Sequence, residues 1–490
     1  MVRPRDVSPR RFALGGLFLV LTVLCGHPAV ARQHASQEPP LRHVEPLAAV
    51  VADLEDYIPA LMDRAGVPGL AVALIRDGRV VWSAGFGVTN RITGTPVTSE
   101  TVFEVASNSK VVTTYAALRL VDQGRLTLDD PLTASLTTPW LPASALGDRI
   151  TLRHVASHSS GLGDNDLLPT NKAIAFEPGS SFAYSGVGLL YMQEAIEQVT
   201  GSSLEDASQA LVFEPLGMTS SSFVGLSDLE ARTASGHIVY SLPLLFFLAP
   251  FIGVFLVLGF VGGVVRRIRV GTWRPSRRLM AGNATVAALA TLVLVFLTLG
   301  RVVPNLALLA VQSAVVFTVV LAFAALLGRR MIARLVEPPL MQRLYALWVV
   351  VSVAALLWVS GTMKGPMPNV LSPPPSAVGS LRTTAPDLAT FLAEVAAPHF
   401  LNEEIAPQVR TPQVAITEDF SWGLGIGIQH SDQGDALWQN GITPGYRSVM
   451  VVYPEYQWGV VVLTNSDDGL QVAYDVAARA LGGKAYWSRF

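Results

Sequence analysis

The segment between Glu230 and Glu337 contains not one acidic residue. It breaks into four apolar runs, each close to the length of about 20 residues with which a helix spans a bilayer, and none of them shows a polar face. The runs lie near Leu242 to Val265, Ala281 to Gly300, Asn305 to Gly328 and Leu344 to Thr362. Half of the chain is hydrophobic and only 15% is charged, which is unusually apolar for a soluble protein. The pattern predicts four transmembrane helices rather than buried core helices.

The loops between these runs predict an orientation. Two of them are rich in arginine, the first with Arg266, Arg267, Arg269, Arg274, Arg277 and Arg278 and the third with Arg329, Arg330, Arg334 and Arg343. Because such loops stay in the cytoplasm, we expect a multi-pass protein of the cell membrane whose two flanks are both extracytoplasmic. The net charge of −2 argues against nucleic acid as a partner. The expected partners are the lipid bilayer and a small-molecule or peptide substrate, with the oligomeric state left open.

The N-terminus has the features of a signal peptide. A basic front precedes an apolar run from Phe12 to Cys25 and small residues at Ala29 and Ala31, which predicts cleavage after Ala31. An uncleaved signal anchor is the alternative. Since Cys25 is the one cysteine, disulfides, Cys-ligated zinc and a cysteine nucleophile are excluded. The predicted organisation is a signal peptide at 1–31, a first catalytic part at 32–236, a membrane insertion at 237–365 and a second catalytic part at 366–490.

The two flanks look like halves of one domain. The first has a helix pattern from Leu54 to Ala65, a β-hairpin around Asp77-Gly78 and a long helix from Ser107 to Gly124. The second has a helix that starts with Thr384 as cap and Asp387 at its third position. Further strands (Gly423 to Gln429, Ser448 to Tyr453, Trp458 to Thr464) and a final helix (Leu470 to Leu481) follow. Because neither half has enough strands for a sheet, we expect the first hairpin to pair with the late strands.

The candidate nucleophile is Ser107, in a S-x-x-K sequence at the start of the long helix. Residues three apart share a helix face, so the Lys110 amine can reach the Ser107 hydroxyl and take its proton. The helix N-terminus offers backbone N–H groups to a developing oxyanion. A plain helix cap is the alternative interpretation of such a short motif. There is no G-x-S-x-G elbow, which excludes the α/β-hydrolase fold.

Several sequence blocks, taken together, resemble the β-lactamase-related serine hydrolases, the superfamily of class C β-lactamases, D-alanyl-D-alanine carboxypeptidases and esterases. The blocks follow the family's order: Val67-Pro68-Gly69-Leu70-Ala71-Val72-Ala73, Phe103-Glu104-Val105-Ala106-Ser107-Asn108-Ser109-Lys110, His154-Val155-Ala156-Ser157-His158-Ser159-Ser160-Gly161-Leu162, Tyr184-Ser185-Gly186 and Pro444-Gly445-Tyr446-Arg447-Ser448. The resemblance covers the flanks and not the four apolar runs. It implies an α+β fold class, a β-lactamase-like antiparallel sheet flanked by helices with a helical subdomain, here interrupted by four transmembrane helices.

The resemblance also implies roles for individual residues. Ser107 would be acylated, with Lys110 and Tyr184 as activating groups, since a tyrosine with a pKa of about 10 needs a cationic neighbour to serve as a base. The backbone N–H groups of Ser107 and Ile442 would form the oxyanion hole. The substrate-binding motif would comprise Gln439, Asn440 and Gly441. Apart from the resemblance, Arg447 in the loop after Pro444-Gly445 is the one nearby cation that could bind a substrate carboxylate, and a solvated loop charge is the alternative interpretation.

Two departures from the family pattern bear on the substrate. Gly186 replaces a frequent asparagine, and Gln439 replaces the lysine or histidine that would grip a substrate carboxylate. We therefore expect an extracytoplasmic serine hydrolase for esters or amides, including peptides, with poor β-lactamase activity. The alternatives are a catalytically weak sensor or binding protein of the cell envelope and a transporter with a hydrolase-like domain. His154 and His158 stand four apart but lack an acidic third ligand, so neither a metal nor a cofactor is expected.

Overall fold

The computed structural model describes residues 39–164, 172–225, 227–239, 364–366 and 374–489. Their central element is an antiparallel sheet of eight strands: β1 (Gly69–Arg76), β2 (Arg79–Gly87), β7 (Val414–Ala415), β8 (Phe420–Trp422), β9 (Gly427–Gln429), β10 (Ala436–Thr443), β11 (Tyr446–Tyr453) and β12 (Trp458–Thr464). Across the sheet the strands lie in the order β2-β1-β12-β11-β10-β9-β8-β7. Two short pairs lie outside the sheet: β3 (Phe103–Glu104) with β6 (Arg382–Thr383), and β4 (His237–Val239) with β5 (Lys364–Pro366).

The sheet joins the two ends of the chain. Strand β1 pairs with β12 from Leu70 opposite Thr464 to Ile75 opposite Gly459. The predicted pairing of the first hairpin with the late strands is therefore confirmed. The hairpin turn is confirmed as well, because Asp77 and Gly78 both have positive φ, as a two-residue turn between twisted strands requires.

The helices cover both faces of the sheet. They are α1 (Leu47–Ala65), α2 (Asn108–Asp122), α3 (Leu152–Ala156), α4 (Gly186–Thr200), α5 (Leu204–Ser208), α6 (Glu214–Leu216), α7 (Ser227–Arg232), α8 (Ala385–Ala396), α9 (Ala406–Val409) and α10 (Gly469–Leu481). A π-helical turn lies at Gln209–Phe213, and 3-10 turns lie at Arg42–Val44, Leu132–Ser135, Gly147–Arg149, Pro454–Tyr456 and Tyr486–Arg489.

Alternation along the buried strands creates two cores. Because successive strand residues point to opposite faces, Leu70, Val72 and Leu74 pack with α1 and α10, while Ala71, Ala73 and Ile75 pack with α2 and α8. The second core continues into the helical region formed by α2 to α5, where α4 packs against both α2 and α3. The predicted cap of α8 is confirmed, since Thr384 Oγ1 accepts a hydrogen bond from the Asp387 N–H at 3.2 Å. Helix α2 belongs to this region and also contacts β10, so it joins the helical region to the sheet.

One predicted strand, Gly423 to Gln429, is wrong in its first half. The chain turns at Gly423–Ile426, where Gly425 has a φ of 87° and the Gly423 N–H bonds to the Ile426 carbonyl at 2.9 Å. Strands β8 and β9 are therefore two arms of a tight hairpin. The apolar and β-branched residues that suggested one strand, Leu424 and Ile426, are buried in the core from within the turn instead.

The predicted fold class requires a correction in its membrane part. The structure shows an α/β fold around a large antiparallel sheet, and no described helix combines the length and apolar character needed to cross a bilayer. The longest, α1, has 19 residues and a charged outer face (Asp53, Glu55, Asp56, Asp63, Arg64). The same finding overturns the predicted multi-pass localisation in the cell membrane. The segments for which the four spans and the signal peptide were predicted lie outside the described residues.

Candidate active site

Ser107 lies at the junction of β3 and α2, in a strained turn. The preceding residue, Ala106, has a φ of 48°, a left-handed conformation that is uncommon for residues other than glycine. Such strain persists where the surrounding structure enforces it, and it is frequent at functional sites. Ser107 is the N-cap residue of α2, but its side chain makes no capping hydrogen bond. The Ser107 hydroxyl is therefore not used to cap the helix, and it faces the Lys110 amine instead.

The Lys110 amine forms hydrogen bonds to Ser107 and to the backbone of Val378. Its Nζ donates to Ser107 Oγ at 2.9 Å and to the Val378 carbonyl at 3.0 Å. The residue is buried, and a buried amine needs such partners because its transfer from water is costly. Helix α2 brings the two side chains together as the three-residue spacing predicts.

Tyr184 stands beside this pair, two residues before α4. The Lys110 Nζ lies 5.1 Å from the centroid of the Tyr184 ring. Gln439 Nε2 lies 3.4 Å from the Tyr184 hydroxyl, a long hydrogen bond. The ring also contacts the edge of Trp422, with centroids 5.9 Å apart. The structure therefore brings the three predicted catalytic residues to one place.

His158 packs against the ring of Tyr184. Its ring lies 4.3 Å from the Tyr184 ring, and its Nδ1 accepts a hydrogen bond from the Ser185 N–H at 3.0 Å. Complete burial, with a smaller contribution from the Lys110 charge, lowers the pKa of His158 to about 3. The imidazole is therefore neutral at physiological pH. Its partner four residues back, His154, instead caps α3, where its Nδ1 accepts from the Thr151 N–H at 3.2 Å.

Strand β10 forms the far edge of the site. Gly441 lies so close to the Val105 carbonyl and the Ser448 hydroxyl that a Cβ atom would collide with both. Ser448 Oγ in turn donates to the Val105 carbonyl at 2.9 Å and accepts from Asn108 Nδ2 at 2.8 Å. These contacts join β10 and β11 to the start of α2. The neighbouring Ile442 is 55% exposed, with its side chain toward solvent.

The remaining predicted binding residues take different positions. Gln439 is buried behind Tyr184, and Asn440 Nδ2 donates to the Tyr474 hydroxyl of α10 at 2.6 Å. Arg447 bonds to the Asp467 carboxylate at 3.1 Å and to the Thr443 carbonyl at 2.6 Å. These bonds hold the guanidinium within the β10–β11 hairpin, and Arg447 does not line the cavity described next.

The side chains surround a cavity of about 260 Å³. Its lining residues are Ala106, Ser107, Lys110, Asp164, Tyr184, Val378, Gly379, Ile442 and Thr443. Sequence analysis missed Asp164, Val378 and Gly379. Asp164 Oδ1 accepts a hydrogen bond from the Gly186 N–H at 3.0 Å, which holds the carboxylate at the N-terminus of α4. No spacing rule relates these three residues to Ser107, so the sequence carries no signal that would have identified them.

Comparisons with known proteins show the family to which this sequence is similar. The family model described as beta-lactamase matches residues 54–298 and 329–484. Esterase EstB of Burkholderia gladioli is 29% identical over a match that covers 36% of this chain and 52% of the relative. Penicillin-binding protein 4 of Amycolatopsis lactamdurans is also 29% identical, with 38% and 53% covered. The match thus spans about half the length of these curated relatives.

Solved structures share the fold. The octameric penicillin-binding protein homologue from Pyrococcus abyssi superposes with a TM-score of 0.55 at 19% identity, covering 87% of this chain and 76% of its own. The D-amino acid amidase from Ochrobactrum anthropi superposes with a TM-score of 0.54 at 16% identity, covering 87% and 98%. Because the family model matches most of the sequence, including the segment that carries Ser107, Lys110 and Tyr184, the chain belongs to the beta-lactamase family.

Proposed function

We propose that this chain is a serine hydrolase that cleaves esters or amides through an acyl-enzyme on Ser107, with Lys110 and Tyr184 as its activating groups. The observation that carries the proposal is the 2.9 Å contact between Lys110 Nζ and Ser107 Oγ at the base of an open cavity. A nucleophile and its base must lie within hydrogen-bond reach, and this pair does.

The proposed reaction has two halves. Ser107 Oγ attacks the substrate carbonyl carbon and gives its proton to the activating pair, and the tetrahedral intermediate then collapses and expels an alcohol or amine that takes up a proton. Water attacks the acyl-enzyme in the second half, releasing the acid and restoring the Ser107 hydroxyl. The backbone N–H groups of Ser107 and Ile442, two residues that line the cavity, are the proposed oxyanion donors, and losing one such donor costs about 3 to 4 kcal/mol.

His158 and Trp422 are proposed as positioning residues for the tyrosine. Both pack against the Tyr184 ring, and His158 also fixes the Ser185 backbone. A neutral imidazole adds no competing positive charge beside Lys110. This packing keeps the Tyr184 hydroxyl near the Lys110 amine. Because His158 is neutral, it does not place a second positive charge against the Tyr184 ring.

The cavity favours substrates without a carboxylate near the scissile bond. Gln439 offers an amide rather than a cation, and Arg447 is committed to Asp467 and to the Thr443 carbonyl. Curated relatives that are named esterases, such as lovastatin esterase of Penicillium rubens at 31% identity over 35% of this chain, support an ester substrate class. The D-amino acid amidase shares the fold, and its name is consistent with amides as a second substrate class.

The test is covalent labelling of the full chain with a fluorophosphonate, followed by peptide mass spectrometry. We expect one adduct, on Ser107, together with hydrolysis of a short-chain p-nitrophenyl ester. Ser107→Ala should lose both signals, while Ser109→Ala, a buried serine on the same helix, should keep the adduct on Ser107. An adduct at another residue, or none, would contradict the proposal and favour a binding protein that has lost turnover.

A further inference from the structure

The charges of the cavity wall are few and unevenly placed. Among its lining residues only Lys110 and Asp164 carry a charge. The Lys110 amine bonds to Ser107 and to the Val378 carbonyl at the base. Asp164 is exposed and lines the cavity next to the start of α4, while Ile442 and Thr443 of β10 line it without a charge. A substrate therefore meets a carboxylate on one side of its reacting carbonyl.

We propose that Asp164 recognises a cationic ammonium group on the acyl part of the substrate, so that the preferred substrates are esters or amides of amino acids with a free amino group. This inference rests on the proposed hydrolase function and names its substrate class. A carboxylate attracts an ammonium and forms charge-assisted hydrogen bonds with it, whereas it repels a substrate carboxylate.

The position of the carboxylate is fixed by the start of α4. Asp164 Oδ1 accepts from the Gly186 N–H at 3.0 Å, while the adjacent Gly163 carbonyl accepts from Ser185 Oγ at 2.9 Å and from the Val187 N–H at 3.2 Å. These bonds fix the carboxylate of Asp164 next to the first residues of α4. Gly186 has no side chain, so the polar side chains that line the cavity near the start of α4 are those of Asp164 and Tyr184.

The shared cavity relates the ammonium to the reacting carbonyl. Ser107 and Asp164 both line one cavity of about 260 Å³. An ammonium bound to Asp164 and a carbonyl bound at Ser107 therefore belong to the same part of the substrate. An α-amino acyl group carries both groups close together and is the simplest acyl group that meets this condition.

The experiment compares alanine p-nitroanilide with N-acetylalanine p-nitroanilide, in both enantiomers, on the full chain. Acetylation removes the positive charge and leaves the scissile amide unchanged. We expect kcat/KM to be at least about tenfold higher for the free amine of the preferred enantiomer. In Asp164→Asn the ratio of the two kcat/KM values should fall toward one. Asp432→Asn, which removes an exposed carboxylate that pairs with Lys484 away from the cavity, should keep the wild-type ratio.

A charge reversal gives the second arm. Asp164→Lys should raise kcat/KM for p-nitrophenyl hemisuccinate relative to p-nitrophenyl butyrate by about tenfold or more, because the new cation attracts the succinyl carboxylate. Fluorophosphonate labelling of Ser107 separates the two levels of failure. Equal kcat/KM for both anilides with a labelled Ser107 overturns the role of Asp164 alone. Equal losses on both anilides in Asp164→Asn assign it a purely structural role and also overturn the inference. Absence of labelling and turnover overturns the hydrolase proposal and this inference with it.

Discussion

Lys110 connects the two stretches of chain that form the base of the cavity. Its Nζ reaches Ser107 one helical turn back and the Val378 carbonyl 268 positions later. The first contact serves the chemistry, and the second fixes the direction of the amine. A side chain of similar length without a nitrogen would fill the same space and lose both hydrogen bonds.

We therefore expect Lys110→Met to slow acylation of Ser107 by at least about a hundredfold, the scale of general acid–base catalysis. Tyr184→Phe should show a loss on the same scale. The rate of fluorophosphonate labelling measures both. Lys484→Met, which removes an amine that pairs with Asp432 at the surface, is the matched control and should be labelled at the wild-type rate. Labelling of Lys110→Met at that same rate would refute the role of the amine.

His158 makes stability depend on pH. Its pKa falls from 6.5 to about 3 on folding because burial disfavours the charged ring, so the unfolded chain binds more protons between these values. Stability contributed by the neutral ring is full above about pH 7 and declines as the pH falls through 6.5. Between pH 7 and 5 this single group should lower the free energy of unfolding by about 2 kcal/mol.

The matched variant is His158→Asn, since asparagine tolerates the φ of 54° at this position and offers an acceptor to the Ser185 N–H. Urea titrations at pH 7 and 5 should give a smaller difference for the variant than for the wild type. The pKa values of His154 and His237 are also lowered by burial, so some dependence should remain. An unchanged difference would show that His158 is not the responsible group.

At the scale of elements, the sequence was informative where local chemistry and burial agree. The β1–β2 hairpin, its pairing with β12 and the α8 cap were all predictable, because each depends on a turn, an apolar run or a capping residue visible in the chain. Helix α1 begins at Leu47, before its predicted start at Leu54. Leu47 and Val50 extend the apolar face of the helix, and this is recognisable only when the core against which they pack is known. Strand β10 was placed by family resemblance, because its polar Gln439-Asn440-Gly441 hides the strand pattern.

Strand β10 also yields a prediction about close packing. In Gly441→Ala the new Cβ would collide with the Val105 carbonyl and Ser448 Oγ, so β10 must move away from α2. We expect a loss of stability of about 1 to 3 kcal/mol and a fall in esterase kcat of about a hundredfold, as the walls of the cavity separate. Thermal unfolding and ester hydrolysis measure these. Gly94→Asn, in an open turn where a side chain meets nothing within 4 Å, should change neither.

At the scale of the whole molecule, the cavity is assembled from five separate stretches of the chain, around Ser107, Asp164, Tyr184, Val378 and Ile442. Ser107 and Lys110 could be predicted from spacing because one helix carries both. Tyr184 and Ile442 needed the family resemblance. Asp164 and Val378 could not be predicted, since their places depend on how the sheet brings the early and late parts of the chain together.

This assembly determines which substrates the protein should refuse. A β-lactam brings a carboxylate, and a charge-assisted hydrogen bond to it would contribute about 1.5 to 3 kcal/mol. Of the described cations near the cavity, two have other partners. Lys110 bonds to Ser107, and Arg447 is bound to Asp467 and the Thr443 carbonyl. We therefore expect kcat/KM for a short-chain p-nitrophenyl ester to exceed that for a chromogenic cephalosporin by at least about tenfold.

Arg447→Ala tests whether this guanidinium offers a route to carboxylate binding. If the guanidinium left Asp467 to grip the cephalosporin, the variant would lose cephalosporin turnover selectively and the ester-to-cephalosporin ratio would rise. We expect the ratio to stay the same, because the ion pair at 3.1 Å and the carbonyl contact at 2.6 Å hold Arg447 within the hairpin. A preference of the wild-type protein for the cephalosporin would contradict this account of the site, and a selective loss in Arg447→Ala would identify the residue responsible.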